Sequence, residues 1–320
     1  MTAPRVSVVV AATRPLRLRW LLNALEEQTL PAREWELVVV HGFDALTAAR
    51  FLSDHPLARS GAMRAIGSPA GGGPPARQRN AGWRAARSAL VAFTDDDCRP
   101  EPDWLERLLE RAAAAPGAVV QGATRPDPLE HDVFAAPHVH TLRVDPPGRF
   151  AQTCNILYER RLIERLGGFD ERAVVGEDID LSLRAREAGM ALVGAPDAIV
   201  NHAVEAHALP GFVRRNVRWR HLAYVVARHP RLRRDCTLGL FWKRSHLTLL
   251  LALAGAAGSR RFAPLALLAL PYLAPEVARR GPRPVDVAVA AAEVPGRALN
   301  ELAEVVAMAA GSARYGTLVL

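Results

Sequence analysis

The stretch "ALVAFTDDDCRPEPDW", residues 89–104, sets an apolar run directly against three consecutive carboxylates. A short apolar run that ends in a polar cluster reads as a buried strand, Leu90 to Thr94, and the aspartates then stand at its carboxyl end. Three like charges in a row repel one another, so the arrangement calls for a positive group among them or for open water. Hard divalent cations such as Mg²⁺ or Mn²⁺ meet that need. They prefer oxygen ligands, and Mg²⁺ is commonly held by one or two carboxylates together with the phosphates of a substrate. A solvated turn whose aspartates cap the next helix, starting near Pro102, accounts for the triplet equally well when it is taken alone.

The flanking segments alternate. Upstream, Arg5 to Ala12 is a buried-strand run, Leu16 to Gln28 carries Leu18, Leu21, Leu22 and Leu25 at helical spacing, and Trp35 to Val40 is a second strand. A weaker helix follows around Ala45 to Leu52. Residues 68–77, SPAGGGPPAR, read as a loop, and Gln78 to Ser88 as a helix. Downstream, Glu101-Pro102 opens a helix through Trp104, Leu105, Leu108 and Leu109, and Val119 to Ala123 is a short strand. Residues 124–149, rich in Pro, His and charge, are expected to form a loop walling one side of a site. A strand, a helix from Arg161 to Leu166, a Gly-Gly turn, a helix from Glu177 to Ala188, and strands at Ala191 to Val193 and Ala198 to Val200 complete the order. This succession predicts an α/β fold with a doubly wound, mostly parallel sheet flanked by helices, whose ligands bind outside the carboxyl ends of its strands.

Composition divides the chain in two. Of 320 residues, half are hydrophobic, which supplies a sizeable core and excludes a disordered tail protein. Residues 205–320 hold 17 Lys and Arg against 7 Asp and Glu, leaving 24 against 26 for residues 1–204, so the excess charge of +8 belongs to the last third. That third is expected to meet an anionic surface. Domains are accordingly placed at 1–205 and 206–320. Cys98, Cys154 and Cys236 match neither a disulfide framework nor a zinc pattern and read as reduced, buried thiols. With no export signal in MTAPRVSVVVAATRP, a cytoplasmic protein is expected, placed at the inner face of the plasma membrane.

Two further motifs carry chemistry. Gly167-Gly168-Phe169-Asp170-Glu171 precedes Gly176-Glu177-Asp178-Ile179-Asp180, where carboxylates in the first turn of a helix are held ionised by its dipole, as suits a general base and equally a cap. Pro196 to His202 reads as a strand ending in a histidine. "VSVVVAATRP" with "WELVVV", then "ARQRNAGWRAARSALVAFTDDDC", then "LGGFDERAVVGEDIDLSLRAREAG" and "APDAIVNH", in that order over residues 5–205, resemble the family 2 glycosyltransferases of GT-A fold.

The resemblance implies the following. The fold is GT-A-like, with residues 206–320 as a C-terminal helical extension. Asp95 and Asp97 bind the diphosphate of a nucleotide-sugar donor through Mn²⁺ or Mg²⁺, Asp97 as the direct ligand, and His202 is a further metal ligand or diphosphate contact. Thr13, Arg77, Asn80 and Asp96 belong to the donor site. Asp178 is the base, with Glu177 beside it, in an inverting single displacement. The family's acidic sequence after the second strand is replaced by His41-Gly42-Phe43-Asp44, where Asp44 substitutes from a shifted position or His41 meets the nucleotide base differently.

In the last third, residues 209–234 carry eight arginines with Phe212, Trp219 and Tyr224 interleaved. No nucleic-acid motif accompanies them. Arg215-Asn216-Val217-Arg218-Trp219 faintly resembles the Gln-x-x-Arg-Trp motif of processive members, which implies an acceptor or diphosphate role for Arg218 and Trp219. Residues 247–280 hold two apolar arms of about a dozen residues, short of the ~20 a spanning helix needs. They read as an interfacial or re-entrant hairpin flanked by Lys243, Arg244, Arg279 and Arg280, or as a hairpin buried on the protein or in a dimer contact. A final amphipathic helix is expected over Ala298 to Ala310. The function expected is sugar transfer to a glycan or lipid-linked acceptor of the cell envelope. A sugar-phosphate nucleotidyltransferase would need glycines after the first strand that AATRPLRLR lacks, and an inactive GT-A-like binding protein is opposed by Asp95, Asp97 and Asp178.

Overall fold

The computed structural model describes residues 3–68 and 73–320, Arg280 by its backbone alone, so part of the predicted loop 68–77 lies outside the described residues. The chain forms two compact units, residues 1–134 with 140–205, and residues 135–139 with 206–320.

The first unit is built on eight strands: β1 (Val6–Ala12), β2 (Trp35–His41), β3 (Met63–Gly67), β4 (Leu90–Asp95), β5 (Cys98–Pro100), β6 (Val119–Pro126), β7 (Asn155–Glu159) and β8 (Leu192–His202). They lie in one sheet in the order β3-β2-β1-β4-β7-β6-β8-β5. β3, β2, β1 and β4 run parallel, β7 is antiparallel to both its neighbours, β6 and β8 are parallel, and β5 closes the edge antiparallel to β8. Two strands go beyond the sequence reading. Met63–Gly67 is half exposed at the sheet edge, and Cys98–Pro100 is three residues long, so neither carries a burial pattern long enough to announce itself.

Because side chains alternate across a strand, the valines of β1 divide between two cores. Val6, Val8 and Val10 face the helices Pro15–Glu26 and Trp104–Ala114, meeting Leu18, Leu21, Leu22, Trp104 and Leu108. Val9 faces the opposite layer with Val38, Val91, Phe93 and Ile156, against the helices Pro75–Ala85 and Glu177–Glu187. The helix predicted from Gln78 starts three residues earlier, with Pro75 in its first turn, where a missing N–H costs nothing.

The two strands predicted at 191–193 and 198–200 are one. Their pairing with β6 shifts register so that Gly122 faces Ala195 while Ala123 faces Ile199, and Pro196 and Asp197 fall in the bulge between, where a residue without a ladder N–H is tolerated. The bulge frees two carbonyls. Nδ2 of the fully buried Asn155 donates to both, Ala123 O and Ala198 O, at 2.8 Å each, and its Oδ1 accepts from Trp104 Nε1. The three cysteines are buried and free, and burial pushes the Cys98 thiol well up.

The second unit is helical. Arg244–Gly258 turns at residues 259–262 into a 3₁₀ segment, Ala263–Ala269, which continues as Leu270–Arg280. The two arms of this hairpin touch closely, since a Cβ at Gly255 would fall 2.5 Å from Leu265 O. The last helix, Pro284–Tyr315, is 32 residues long, well beyond the predicted 298–310, and carries Pro295 inside it. Among the described residues, no helix is long and apolar enough to cross a membrane.

Candidate active site

Helix Pro15–Glu26 has no capping side chain of its own at its start. Its cap arrives from the end of β4: Asp96 accepts the backbone N–H groups of Thr13 and Arg14 at 2.6 and 2.7 Å. A carboxylate there satisfies donors that the first turn leaves open and is favoured by the helix dipole. Both oxygens of Asp96 are engaged, because Arg14 Nε and Nη2 fork onto Oδ1 at 2.8 and 2.6 Å. Asp96 is thus turned inward, 1% exposed, and fixes Thr13 and Arg14 at the strand ends.

The positive charge that the triplet calls for is supplied by two arginines. Arg14 Nη1 reaches Asp97 Oδ2 at 2.6 Å and Glu205 at 3.6 Å. Arg79, from the helix packed on the opposite face, bonds Asp95 Oδ1 through Nη2 at 2.7 Å and Glu177 through Nη1. Burial opposes the charge of both guanidiniums. Asp97 and Asp96 around Arg14, and Asp95, Glu177 and Asp178 around Arg79, outweigh it and push both pKa values up. Arg79 also lies over the ring of Phe169, which meets Phe93 edge-on at 5.2 Å.

Helix Glu177–Glu187 begins with Gly176 as its N-cap at φ 82°, a left-handed conformation natural to glycine. The acids Glu177, Asp178 and Asp180 occupy its first turn, and Arg184 and Arg186 its last. Asp180 is spent inward on Arg184, which also donates to Leu166 O and Gly168 O. Asp178 remains partly accessible and, among the described residues, accepts only from Ile179 N, at 2.8 Å. Burial of its surroundings, then the charge of Glu177, raise its pKa to about 7. Asp95 behaves in the opposite way. Burial would push it up, but the Arg79 charge and hydrogen bond hold it below the usual carboxylate range. Two carboxyls sharing one arginine are driven apart in pKa, a pattern that separates an electrostatic anchor from a proton acceptor.

At the other arginine, burial pushes Asp97 up, and His202 and Arg14 offset this only in part. Asp97 Oδ1 is buried with no hydrogen-bond partner among the described residues, and Oδ2 stands 3.6 Å from His202 Nε2. His202 Nδ1 lies 2.9 Å from Ala203 O, an acceptor only, so Nδ1 carries a proton and Nε2 is the ring nitrogen turned to Asp97. A carboxylate with one orphaned oxygen and an imidazole nitrogen near the other fits a divalent cation of the Mn²⁺ or Mg²⁺ type, which neutral imidazole can ligate. Among the described residues, no group of three or more His, Cys, Asp and Glu side chains could hold a metal ion, so such a cation would complete its shell from water or a substrate phosphate.

The remaining sequence-predicted residues make other contacts. Asn80 is buried and pins the turn before the acidic helix: its Nδ2 donates to Phe169 O and its Oδ1 accepts Phe169 N and Trp83 Nε1. Gly168, at φ 79°, leaves no room for a side chain there, as a Cβ would fall 2.5 Å from Asn80 Oδ1. Arg77 is exposed and pairs with Glu171. Asp44 caps its own helical turn through Thr47, while His41 stacks on Phe43 with centroids 5.1 Å apart. Arg218 and Trp219 belong to the second unit, where Lys243 Nζ lies over the Trp219 ring. Sequence reasoning missed Arg14, Arg79 and Glu205. The position of Arg14, immediately after β1, was the available signal, because strand ends of such sheets receive ligands.

Comparison with known proteins gives a consistent picture. A family model described as glycosyltransferase like family 2 matches residues 4–221. The chain is 30% identical over 167 residues to the pre-mycofactocin glycosyltransferase of Mycobacterium tuberculosis, a match covering 49% of this chain and 36% of that protein, so it spans about a third of that relative's length. It is 26% identical over 209 residues to the glycosyltransferase AglE of Haloferax volcanii, covering 63% and 67% respectively. Among solved structures, the mannosyltransferase PcManGT from Pyrobaculum calidifontis, in complex with GDP-Man and Mn²⁺, aligns with a TM-score of 0.57 at 21% identity over 98% of this chain and 88% of its own. TarS residues 1–349 from S. aureus, with UDP, aligns at 0.51 and 14% identity, covering 98% and 92%. At these identities the structural likeness is one of fold, GT-A-like in both cases.

Proposed function

The chain belongs to the family 2 glycosyltransferases, and on that premise we propose that it is an inverting glycosyltransferase moving a sugar from a nucleoside-diphosphate sugar to an acceptor hydroxyl. The observation that carries this reading is the meeting of Asp95 with Glu177 and Asp178 around one guanidinium, that of Arg79. It joins the acidic end of β4 to a carboxylate that is poised to change protonation near neutrality.

The chemistry follows from those positions. Asp178 accepts the proton of the acceptor hydroxyl as the oxygen attacks the anomeric carbon, and a single displacement inverts that centre. Arg79 keeps Asp95 ionised beside it and prevents the two acids from sharing a proton. Asp97 and His202 would hold a divalent cation, which when bound supplies Lewis-acid neutralisation of the departing diphosphate. Thr13, fixed by Asp96, and His41 line the strand ends beside it, since His41 pairs with Ala12 in the sheet. The bound GDP-Man and UDP of the structural neighbours support a nucleoside diphosphate donor.

Melting curves with GDP, UDP and their sugars, each with Mn²⁺ and after EDTA treatment, test the reading. One nucleoside diphosphate with Mn²⁺ should raise the melting temperature, and its sugar should be hydrolysed slowly or transferred. If no nucleotide or nucleotide sugar raises the melting temperature with Mn²⁺ present, the reading fails.

The second unit supplies a membrane-facing surface for a lipid-linked or cell-envelope acceptor. Leu253, Phe262, Leu267, Leu270 and Val285 are exposed, and Leu267 is 63% so. A groove of about 460 Å³ is lined by Leu270, Leu273, Ala274 and Val277. Arg260, Arg261, Arg279 and Arg283 lie in the same helical hairpin and the start of the last helix. Exposed apolar side chains with arginines in the same segment match an anionic lipid interface. The protein should float with vesicles containing about 30% phosphatidylglycerol and be left behind by phosphatidylcholine at moderate salt, each nearby Arg contributing about 1 kcal/mol. Equal recovery with both vesicles, or with neither, counts against this surface.

A further inference from the structure

Asp97 is already paired: a guanidinium stands where a cation is called for. Arg14 Nη1 is 2.6 Å from Asp97 Oδ2, the oxygen that also faces His202 Nε2, while Asp97 Oδ1 has no partner. The other face of the same guanidinium is clamped by Asp96 through Nε and Nη2. Of the guanidinium nitrogens of Arg14, therefore, one bonds Asp97 and two bond Asp96, and the side chain is still 37% exposed at the strand ends. The backbone N–H groups of Thr13 and Arg14 point to the Asp96 carboxylate too, so that clamp does not depend on the Asp97 contact.

We propose that Arg14 is the resident counter-cation of Asp97, exchanged for a divalent cation on donor binding, and that its released Nη1 then bonds the donor's diphosphate. This rests on the donor-site reading above. A cation entering between Asp97 and His202 repels the guanidinium at contact distance, and the Asp96 clamp limits its retreat to a swing about Nε. The freed Nη1, with Glu205 at 3.6 Å as its remaining neighbour, then takes phosphate oxygens of the donor, for which a guanidinium is well suited. Arg14 thereby disfavours metal bound alone and favours metal bound together with diphosphate, which makes cation capture conditional on the donor.

The test measures Mn²⁺ affinity directly, by the loss of the free Mn²⁺ paramagnetic resonance signal, in wild type and Arg14→Gln without nucleotide. Arg14→Gln should bind Mn²⁺ about tenfold more tightly, because one charge-assisted contact no longer competes. With saturating Mn²⁺, its affinity for GDP or UDP, whichever the wild type binds, should fall about tenfold. Arg14→Lys, whose single ammonium cannot satisfy Asp96 and Asp97 together, should tighten Mn²⁺ by a smaller factor, and it carries the test if the Gln variant does not fold. Mn²⁺ affinity that is unchanged or weaker in a folded variant overturns the exchange. If the wild type turns over a nucleotide sugar with Mn²⁺ while the variant's Mn²⁺ affinity is unchanged, only the Arg14 proposal falls. If neither protein binds Mn²⁺ and the wild type turns over no nucleotide sugar, the donor-site reading falls with it.

Discussion

Replacing Asp178 with Asn should lower turnover by about 10²- to 10⁴-fold while nucleotide-sugar affinity stays within about threefold of wild type, since a positioned base contributes on that scale and the proposed donor contacts lie on other residues. In the wild type the base is competent only when ionised, so kcat/KM should fall on the acid side of a pKa near 7. Stability carries an independent signature. A carboxyl whose folded pKa lies above its unfolded value favours folding while protonated, and that contribution is lost as pH rises through about 7. Asp178→Asn, uncharged throughout, should therefore melt above wild type at pH 8, with the gap closing as the pH falls from 7 towards 4. Rate profiles and melting curves across pH 4–9 check both statements. A variant that kept wild-type turnover would remove Asp178 from the chemistry.

The second large effect is expected at Arg79. The guanidinium is 6% exposed and holds Asp95 and Glu177 with separate nitrogens, Asp178 standing close enough to add its charge. Removing it leaves acids facing one another in a desolvated site. Breaking a buried ion pair from one side costs about 3–5 kcal/mol, so Arg79→Met should melt roughly 10 °C lower and turn over at least about 100-fold more slowly. Arg79→Lys should recover part of the stability and little of the rate, because an ammonium cannot bridge both carboxylates in a plane. The deficit of Arg79→Met should shrink in acid as the carboxylates take up protons. Calorimetry on the three proteins settles the matter: a Met variant melting within about 2 °C of wild type would mean that the bridge contributes nothing.

The sequence carried the order of the sheet's central strands and their flanking helices, because long valine and leucine periodicities survive in any environment. Strands Met63–Gly67 and Cys98–Pro100 escaped it, since each exists by pairing with a neighbour rather than by its own pattern. Leu192–His202 read as two strands because Pro196 interrupts the pattern, and only the bulge opposite Gly122 shows how the chain passes through it. At the site, the acids were legible as motifs but their counter-ions were not. Arg79 meets Glu177 from 98 positions away and Arg14 meets Asp96 from 82. No local rule links such pairs, and an arginine surrounded by other arginines in "TRPLRLR" or "ARQRN" does not stand out. Asp96 and Asn80 are the reverse case. Both belong to recognisable motifs, yet their polar atoms are engaged within the protein, by backbone groups and by neighbouring side chains.

Supplying the neutralising charges from within the chain has a bearing on biogenesis. Proteins whose carboxylates depend on an added ion finish maturing only when that ion is in supply, and starvation exposes them to proteolysis. Here Arg14 and Arg79 already balance the acids at the end of β4. The polypeptide can therefore reach its native state straight from synthesis, and if the proposed cation is required for transfer, its scarcity would idle the protein rather than mark it for destruction.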